Sequence, residues 1–410
     1  MINKNFNKLL MAYFLSTVGD WLYRLALPIF LFNQTKSALI MAVAYGVTFI
    51  PYILVTPFGG VIADRFKRQK LLIISDIVAF ILTLILAFTI MKPEKNLSLI
   101  YVLVFLIASV ASLLHPIFQS FIPNLVKKED LSKANSLLLM VDNLILIIGP
   151  VFSGVVITLL GSVTAVYLNA VSFLLSALIN FTIIPLNPEI IANIKFSLKT
   201  VFKDLSEGLR YTVNNSVIKY GCILFVFINF GIQIFYANFI YYLVEELHLN
   251  PSEVGITIAI SGFGAIIGSI TAPKLVKYFA QGNIILGCSF GVGISILFLL
   301  LVNNFMMIGF IWGIQSACSS VIIITYFTLR QQMVPNQYLG RTIAITRLIS
   351  YLAIPIASLV GGIILQYTNQ MHYLIFIGGT TIIITAVLGV FSPLNNRHSY
   401  TYKDELYEKI

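Results

Sequence analysis

GGVIADRFKRQK, residues 59–70, sets the architecture. It crowds two glycines, one acid (Asp64) and four bases (Arg65, Lys67, Arg68, Lys70) into a turn between two uninterrupted apolar stretches, near 38–58 and 71–91. Each stretch reaches the about 20 residues that a helix needs to cross a hydrocarbon core. A basic turn between two spans stays on the cytoplasmic side, so the segment predicts an orientation as well as a membrane location.

The whole chain supports that reading. It has 410 residues, 58% of them hydrophobic and only 10% charged. A soluble protein of this size needs more charge than that on its surface, so the expected class is integral membrane. The apolar runs are continuous rather than alternating, which excludes a β-barrel. The expected fold is therefore all-α. Apolar segments fall near 8–32, 38–60, 71–91, 98–120, 134–159, 163–186, 219–244, 253–273, 283–302, 305–328, 342–366 and 372–393. The first holds Asp20 and Arg24 and is longer than a signal core, so it is read as a retained span.

Charge orients these twelve predicted helices. Of 26 Lys and Arg, 21 fall on the side that holds both termini and the 59–70 turn, three on the other side, and two (Arg24, Arg347) inside spans. The prediction is a multi-pass protein of the plasma membrane with both termini cytoplasmic. The net charge of +10 is thus a topology signal, and no nucleic-acid partner is expected. The connection 187–218 carries Ile194, Leu198, Val201, Phe202, Leu205, Leu209 and Val213 at helical spacing among Lys195, Lys199, Lys203 and Arg210. It reads as an amphipathic helix on the inner membrane surface. The expected organisation is a six-helix bundle over 1–186, this linker over 187–218, a second six-helix bundle over 219–393 and a cytoplasmic tail over 394–410. VKKEDLSKAN (126–135) and VPNQYLGRTI (334–343) each lead into a span with a deeper proline, Pro150 or Pro355, a trace of internal repetition.

The pattern Gly-x-x-x-Asp-Arg-x-x-Arg, carried by Gly60, Asp64, Arg65 and Arg68, resembles the signature loop between spans 2 and 3 of the major facilitator superfamily of secondary transporters. Lys67 and Gln69 depart from that pattern, standing where many members have glycine and a base. LSTVGDWLYRLALPIFLFNQT (15–35), HPIFQSFIP (115–123), LSKANSL (131–137) and VPNQYLGR (334–341) resemble its macrolide-efflux branch, which includes siderophore exporters of the enterobactin type. The resemblance implies two six-helix pseudo-repeat bundles and export of a bulky amphipathic small molecule, drug-like or a secondary metabolite, by proton antiport. It places Asp64 against the start of span 11, where a carboxylate at a helix N-terminus would latch the halves. In the second half, SITAPKLVKYF (269–279) carries Ala272 where the acid belongs, so the latch is one-sided. Gly149, Pro150 and Gly154 in span 5 resemble an element of exporter members, with Ile145 replacing its upstream glycine.

Charges within spans cost roughly 2.5–3.5 kcal/mol each at mid-helix, so they mark either function or pairing. Asp20 and Arg24 lie one turn apart on one helix face and read as a proton-sensitive pair facing a cavity, the alternative being mutual neutralisation. Asp142 and Arg347, each eight residues before the proline of its span, are candidate cavity-facing counterparts. Asp76 is placed near a wet helix end and read as structural. His115, beside Pro116, reads as a helix-end residue more readily than as a proton relay. The glycines of span 8 (Gly262, Gly264, Gly268) and span 11 (Gly361, Gly362) read as packing sites.

Cys222, Cys288 and Cys318 stand singly in apolar runs as packing residues, and no metal or cofactor is expected. Four dispersed histidines argue against a membrane enzyme, and the lack of a glycine-lysine phosphate loop argues against direct ATP drive. The expected partners are a small-molecule substrate, protons and the lipid bilayer, with the chain acting as a monomer. A siderophore exporter and, behind it, a lysolipid flippase are the alternatives within transport.

Overall fold

The computed structural model describes residues 4–55, 66–92, 96–127, 130–186 and 198–395. All regular structure among them is helical. The elements are α1 (Lys4–Thr35), α2 (Ala38–Leu54), α3 (Arg68–Met91), α4 (Leu97–Leu125), α5 (Leu131–Phe181), α6 (Leu198–Asn214), α7 (Ser216–Tyr236), α8 (Phe239–Tyr241), α9 (Pro251–Tyr278), α10 (Gln281–Phe298), α11 (Phe305–Met333), α12 (Asn336–Thr368) and α13 (His372–Val390). A single turn of π-helix, Tyr242–Glu246, extends α8.

Nine helical stretches among the described residues are long and apolar enough to cross a membrane. One of them, Met140–Phe181, is two arms of α5 that meet at Gly161, whose φ of 81° and ψ of 164° break the helix. Counting both arms, and adding the charge-bearing α1 and the short α2, gives the twelve spans expected from the sequence. α3 shows why these are membrane helices. Leu72, Asp76, Ala79, Thr83, Leu86 and Ile90 form its buried face, whereas Ile74, Ile77, Val78, Ile81, Ile85 and Phe88 are exposed. The most apolar side points outward and the polar side chains point inward, the arrangement that a lipid solvent selects.

Local chemistry sets the helix ends. Ser37 caps α2 by accepting from the amide of Ile40, and Asn96 caps α4 by accepting from Leu99. Asn250-Pro251-Ser252-Glu253 opens α9 with proline at its first position. Reciprocal bonds join Asn250 to Glu253: Glu253 Oε2 accepts from the Asn250 amide at 2.9 Å, and Asn250 Oδ1 accepts from the Glu253 amide at 3.0 Å.

The described chain packs as two compact units. The first comprises Met1–Phe196, Tyr236–Gly262 and Ser358–Asn369; the second comprises Ser197–Phe235, Phe263–Ala357 and Gln370–Ile410. Within the first unit, Phe6, Leu9, Leu72, Phe121 and Leu125 form a core where the starts of α1, α3 and α5 meet the end of α4 and Ile183, just beyond α5. Polar bonds fasten this end: Lys8 to the carbonyl of Thr182 at 2.9 Å, Gln69 to the carbonyls of Asn180 and Ile183, and Arg68 to Asn124 Oδ1 at 2.9 Å. Elsewhere in this unit, small residues let backbones approach. Gly154 of α5 lies against the Pro251 carbonyl, Gly255 against that of Pro150, and Gly362 of α12 against Leu39 and Ala42 of α2.

Within the second unit, Gly264 and Gly268 of α9 pack on the backbone of α11 at Gly313 and Ala317. The segment 269–279, the second-half counterpart of the signature loop, is helical almost throughout: α9 continues through Pro273 to Tyr278. Ala272 is fully buried with Ile284 and Val321, and Leu275 and Val276 pack against the same cluster, so apolar contact carries the helix past its proline. α6 lies on the start of α12. Glu207 pairs with Arg341, Tyr211 stacks on Tyr338 at 5.5 Å, and Gly208 meets the Arg341 backbone. Its Leu209 and Val213 remain exposed. Residues 187–197 of the 187–218 connection lie outside the described residues.

Candidate functional site: an aromatic cavity with an internal charge pair

The first unit encloses a cavity of about 350 Å³. α1 contributes Asp20, Trp21, Tyr23 and Arg24 to its wall. α2 adds Tyr45, Phe49 and Tyr52, spaced four and three residues apart and hence on one helix face. Tyr236 and Phe239 close the wall from the segment 236–262. The rings touch in series: Tyr45 to Phe49 at 5.2 Å, Phe49 to Tyr52 at 6.2 Å, Tyr45 to Tyr236 at 6.1 Å and Tyr236 to Phe239 at 5.8 Å. Edge-to-face, tilted and stacked contacts of this kind hold an aromatic wall in place.

Two ionised groups interrupt that surface. Asp20 and Arg24 both line the cavity, and no ion pair within 4.0 Å forms between them among the described residues. Arg24 is an exposed residue, stacked at 5.9 Å over the Trp21 ring. Tyr23 also lines the cavity; the residue is 7% exposed, and its buried hydroxyl oxygen has no hydrogen-bond partner among the described residues. A carboxylate and a guanidinium on an aromatic wall make a site that can hold an amphipathic molecule and orient its polar end.

The span-5 element shapes this wall from behind. A side chain at Gly149 would occupy the space of the Trp21 indole, so this glycine admits the ring. Ser153 satisfies its own hydroxyl on the Gly149 carbonyl at 2.7 Å. Pro150 and Gly154 meet α9 instead, as described above.

A smaller cavity of about 150 Å³ adjoins the first and shares Asp20, Arg24, Tyr52 and Ala111 with it. Its other polar members include Tyr13, Ser16, Thr17, Asp76, Ser176 and Asn180. Asp142 stands beside it, accepting a 2.7 Å hydrogen bond from the Tyr13 hydroxyl.

The structure therefore gathers Asp20, Arg24 and, through Tyr13, Asp142 at one place. Arg347 belongs to the second unit, where it stacks on Tyr351 at 5.2 Å. The expectation for Asp76 is corrected. It is 3% exposed, because it sits eight residues into α3, about 12 Å along the axis, and faces α5. Of the signature-loop residues, Arg68 holds Asn124, whereas Gly60, Asp64 and Arg65 lie outside the described residues. The His115 side chain is likewise outside them.

Sequence reading missed the aromatic wall. The spacing Tyr45-x₃-Phe49-x₂-Tyr52 was the available signal, opposite an α1 face already marked by Asp20 and Arg24.

Comparison with known proteins adds the following. Residues 1–407 match the model of the transmembrane secretion effector family. The chain is 22% identical to macrolide efflux protein A of Streptococcus pyogenes over 386 residues, covering 91% of this chain and 92% of that one. It is 25% identical to the staphyloferrin A transporter of Staphylococcus aureus over 298 residues, covering 69% and 70%. Among solved structures, the nucleoside transporter NupG superposes with a TM-score of 0.78 at 13% identity, over 95% of this chain and 99% of that one.

Proposed function

Because this chain belongs to the transmembrane secretion effector family of the major facilitator superfamily, we propose that it is an exporter of amphipathic small molecules, driven by proton antiport through alternating access. The observation that carries this reading is the aromatic cavity with Asp20 and Arg24 on its wall. Ionised groups inside membrane helices are retained for a use, and here they face a space large enough for a small molecule.

In this reading the aromatic rings take up the apolar body of the substrate, and Arg24 orients its polar end. Asp20 exchanges its charge for a proton, so that substrate and proton each favour a different state of the carrier, as coupled transport demands. Asp142, bonded to Tyr13, serves as a further charge beside the cavity, and Arg347 serves within the second unit. Gly60, Asp64, Arg65 and Arg68 form the gating loop at the cytoplasmic face, where both termini lie, and the carrier works as a monomer in the plasma membrane.

A second reading, siderophore export, draws on Arg24. A guanidinium exposed to the cavity and outside any ion pair with Asp20 suits an acidic ligand. The staphyloferrin A transporter among the relatives points the same way.

The test is a screen in everted vesicles, offering macrolides and carboxylate siderophores with and without a proton-gradient uncoupler. We expect uptake of at least one class, abolished by the uncoupler and by Asp20→Asn while the variant inserts normally. Uncoupler-resistant transport, or wild-type proton-driven transport by Asp20→Asn, would refute the coupling role.

A further inference from the structure

Two of the three cysteines, far apart in the sequence, stand together in the fold. Cys288 is on α10 and Cys318 is on α11, consecutive helices of the second unit that run antiparallel across the short connection 302–304. Their thiols are in hydrogen-bonding contact. The packing on either side fixes the same register. Ile284, one turn before Cys288, shares a core cluster with Val321, one turn after Cys318, and Cys288 packs against that cluster. In antiparallel helices a step forward on one is matched by a step back on the other, so this register sets 288 opposite 318. On the far side, a Cβ added to Gly291, one turn after Cys288, would lie 3.2 Å from Cys318 Sγ. The sulfur of Cys318 therefore rests on the Cys288–Gly291 turn. A disulfide needs Cα atoms within about 7 Å of each other, and a glycine at 291 permits that approach.

The third cysteine shows what a packing thiol looks like here. Cys222 is 4% exposed, and its Sγ lies 3.9 Å from the Thr346 carbonyl. Cys288 and Cys318 are both free thiols and only partly buried, so a small reagent can reach them. Among the described residues, no group of three or more His, Cys, Asp or Glu is placed to hold a metal ion, which sets this pair apart from a structural metal centre. Both helices are long and apolar enough to cross a membrane, and Cys288 lies seven residues into α10, about 10 Å along its axis. A reagent that meets these sulfurs must enter apolar surroundings, which favours a neutral molecule with an organic tail.

We propose that Cys288 and Cys318 are a modification site, at which an organic hydroperoxide converts the two thiols into one reversible disulfide that staples α10 to α11. In the first step one sulfur takes the outer oxygen of the hydroperoxide and becomes a sulfenic acid, the O–O bond breaks and an alcohol leaves. In the second step the other sulfur displaces that oxygen, the S–S bond forms and water leaves. Both sulfurs are oxidised, the peroxide oxygens are reduced, and the two thiol protons end on the alcohol and the water. A second thiol already in contact makes the closing step intramolecular, so it outpaces further oxidation of the sulfenic acid. A small-molecule thiol opens the link again by exchange. The staple lies wholly within the second unit. Neither thiol lines the first-unit cavities, so the site stands or falls apart from the export reading.

The test needs no transport and begins with the wild type. Purified full-length protein in detergent is treated with cumene hydroperoxide for increasing times. Free thiols are then counted on a gel by a maleimide mass tag, added after unfolding in dodecyl sulfate. The reduced chain takes three tags, one for each cysteine. We expect the oxidised chain to pass directly from three tags to one, because a disulfide removes thiols in pairs, to run as a monomer without reductant, and to regain three tags after treatment with a small-molecule thiol. Cys222→Ser is expected to pass from two tags to none, which identifies the pair as Cys288 and Cys318. Cys288→Ser and Cys318→Ser each remove one partner and are expected to show no paired loss. Retention of all three tags by the wild type, a stable two-tag species on the way to one, or a disulfide-linked dimer would overturn the proposal. So would paired loss in Cys288→Ser or Cys318→Ser, since Cys222 would then be the partner.

Discussion

Tyr13 shows how one side chain ties the charged region together. Its ring stacks on Phe118 of α4 at 4.5 Å, and its hydroxyl donates to Asp142 of α5 at 2.7 Å, so a residue of α1 holds two other helices. Hydrogen bonds to charged groups contribute about 1.5–3 kcal/mol, because the alternative is a carboxylate with one donor fewer. Tyr13→Phe keeps the stacking and removes only the donor. Its expected cost is therefore about 1–3 kcal/mol, read as a lowered unfolding temperature relative to the wild type. An Asp142→Asn background should largely cancel that cost, since the charge that made the bond strong is gone. Gly149 offers a second check on the same region. Gly149→Val places a branched side chain where the Trp21 indole lies. Overpacking of this kind costs about 1–3 kcal/mol, and here it should also weaken substrate binding, because Trp21 is part of the cavity wall.

Among the elements, α5 carries the feature most sensitive to a single atom. Its two arms meet at Gly161, and φ of 81° with ψ of 164° belongs to backbone space that a side chain opposes by about 1–3 kcal/mol. An added Cβ meets nothing within 4 Å there, so the penalty is conformational and not steric crowding by neighbours. Gly161→Ala is expected to lower stability by that amount, whereas Gly340→Ala, in a helical position that also has open space, should not. The break itself was legible, since the apolar pattern pauses at Gly161-Ser162 between the fifth and sixth predicted spans. The helix count and the amphipathic α6 were legible for the same reason: continuous apolar length and charge spacing report on the backbone directly. Which face of each span turns inward was not. In a soluble helix the apolar stripe is the inner one, but a lipid-facing stripe is apolar too, so Tyr45, Phe49 and Tyr52 look like any of the many aromatics that meet lipid. Asp20 and Arg24 escaped that ambiguity because charge cannot face lipid cheaply. Asp76 lies deeper than hydropathy suggests because α3 starts at Arg68, which carries its ninth residue well inside.

At the scale of the whole molecule, transport by alternating access requires that some contacts present in one state be absent in another. The first compact unit holds candidates, since it includes 236–262 and 358–369 as well as the first five helices. The Ser37 hydroxyl bonds Gln366, Ser358 bonds the Ala42 carbonyl, and the hydroxyls of Thr158 and Ser252 lie 2.9 Å apart. Each of these contacts joins a helix from the first half of the sequence to one from the second. If substrate must pass between them in another state, a covalent link there will stop the cycle. Thr158→Cys with Ser252→Cys, in a protein whose Cys222, Cys288 and Cys318 have been replaced by serine, supplies that link on mild oxidation. Export should fall to the level of empty vesicles in proportion to the cross-linked fraction and recover on reduction, while either single cysteine transports normally under the same oxidant. A fully cross-linked protein that still exported at the wild-type rate would mean that this seam never opens, and a rocking carrier would then be the wrong description of how the chain moves its cargo.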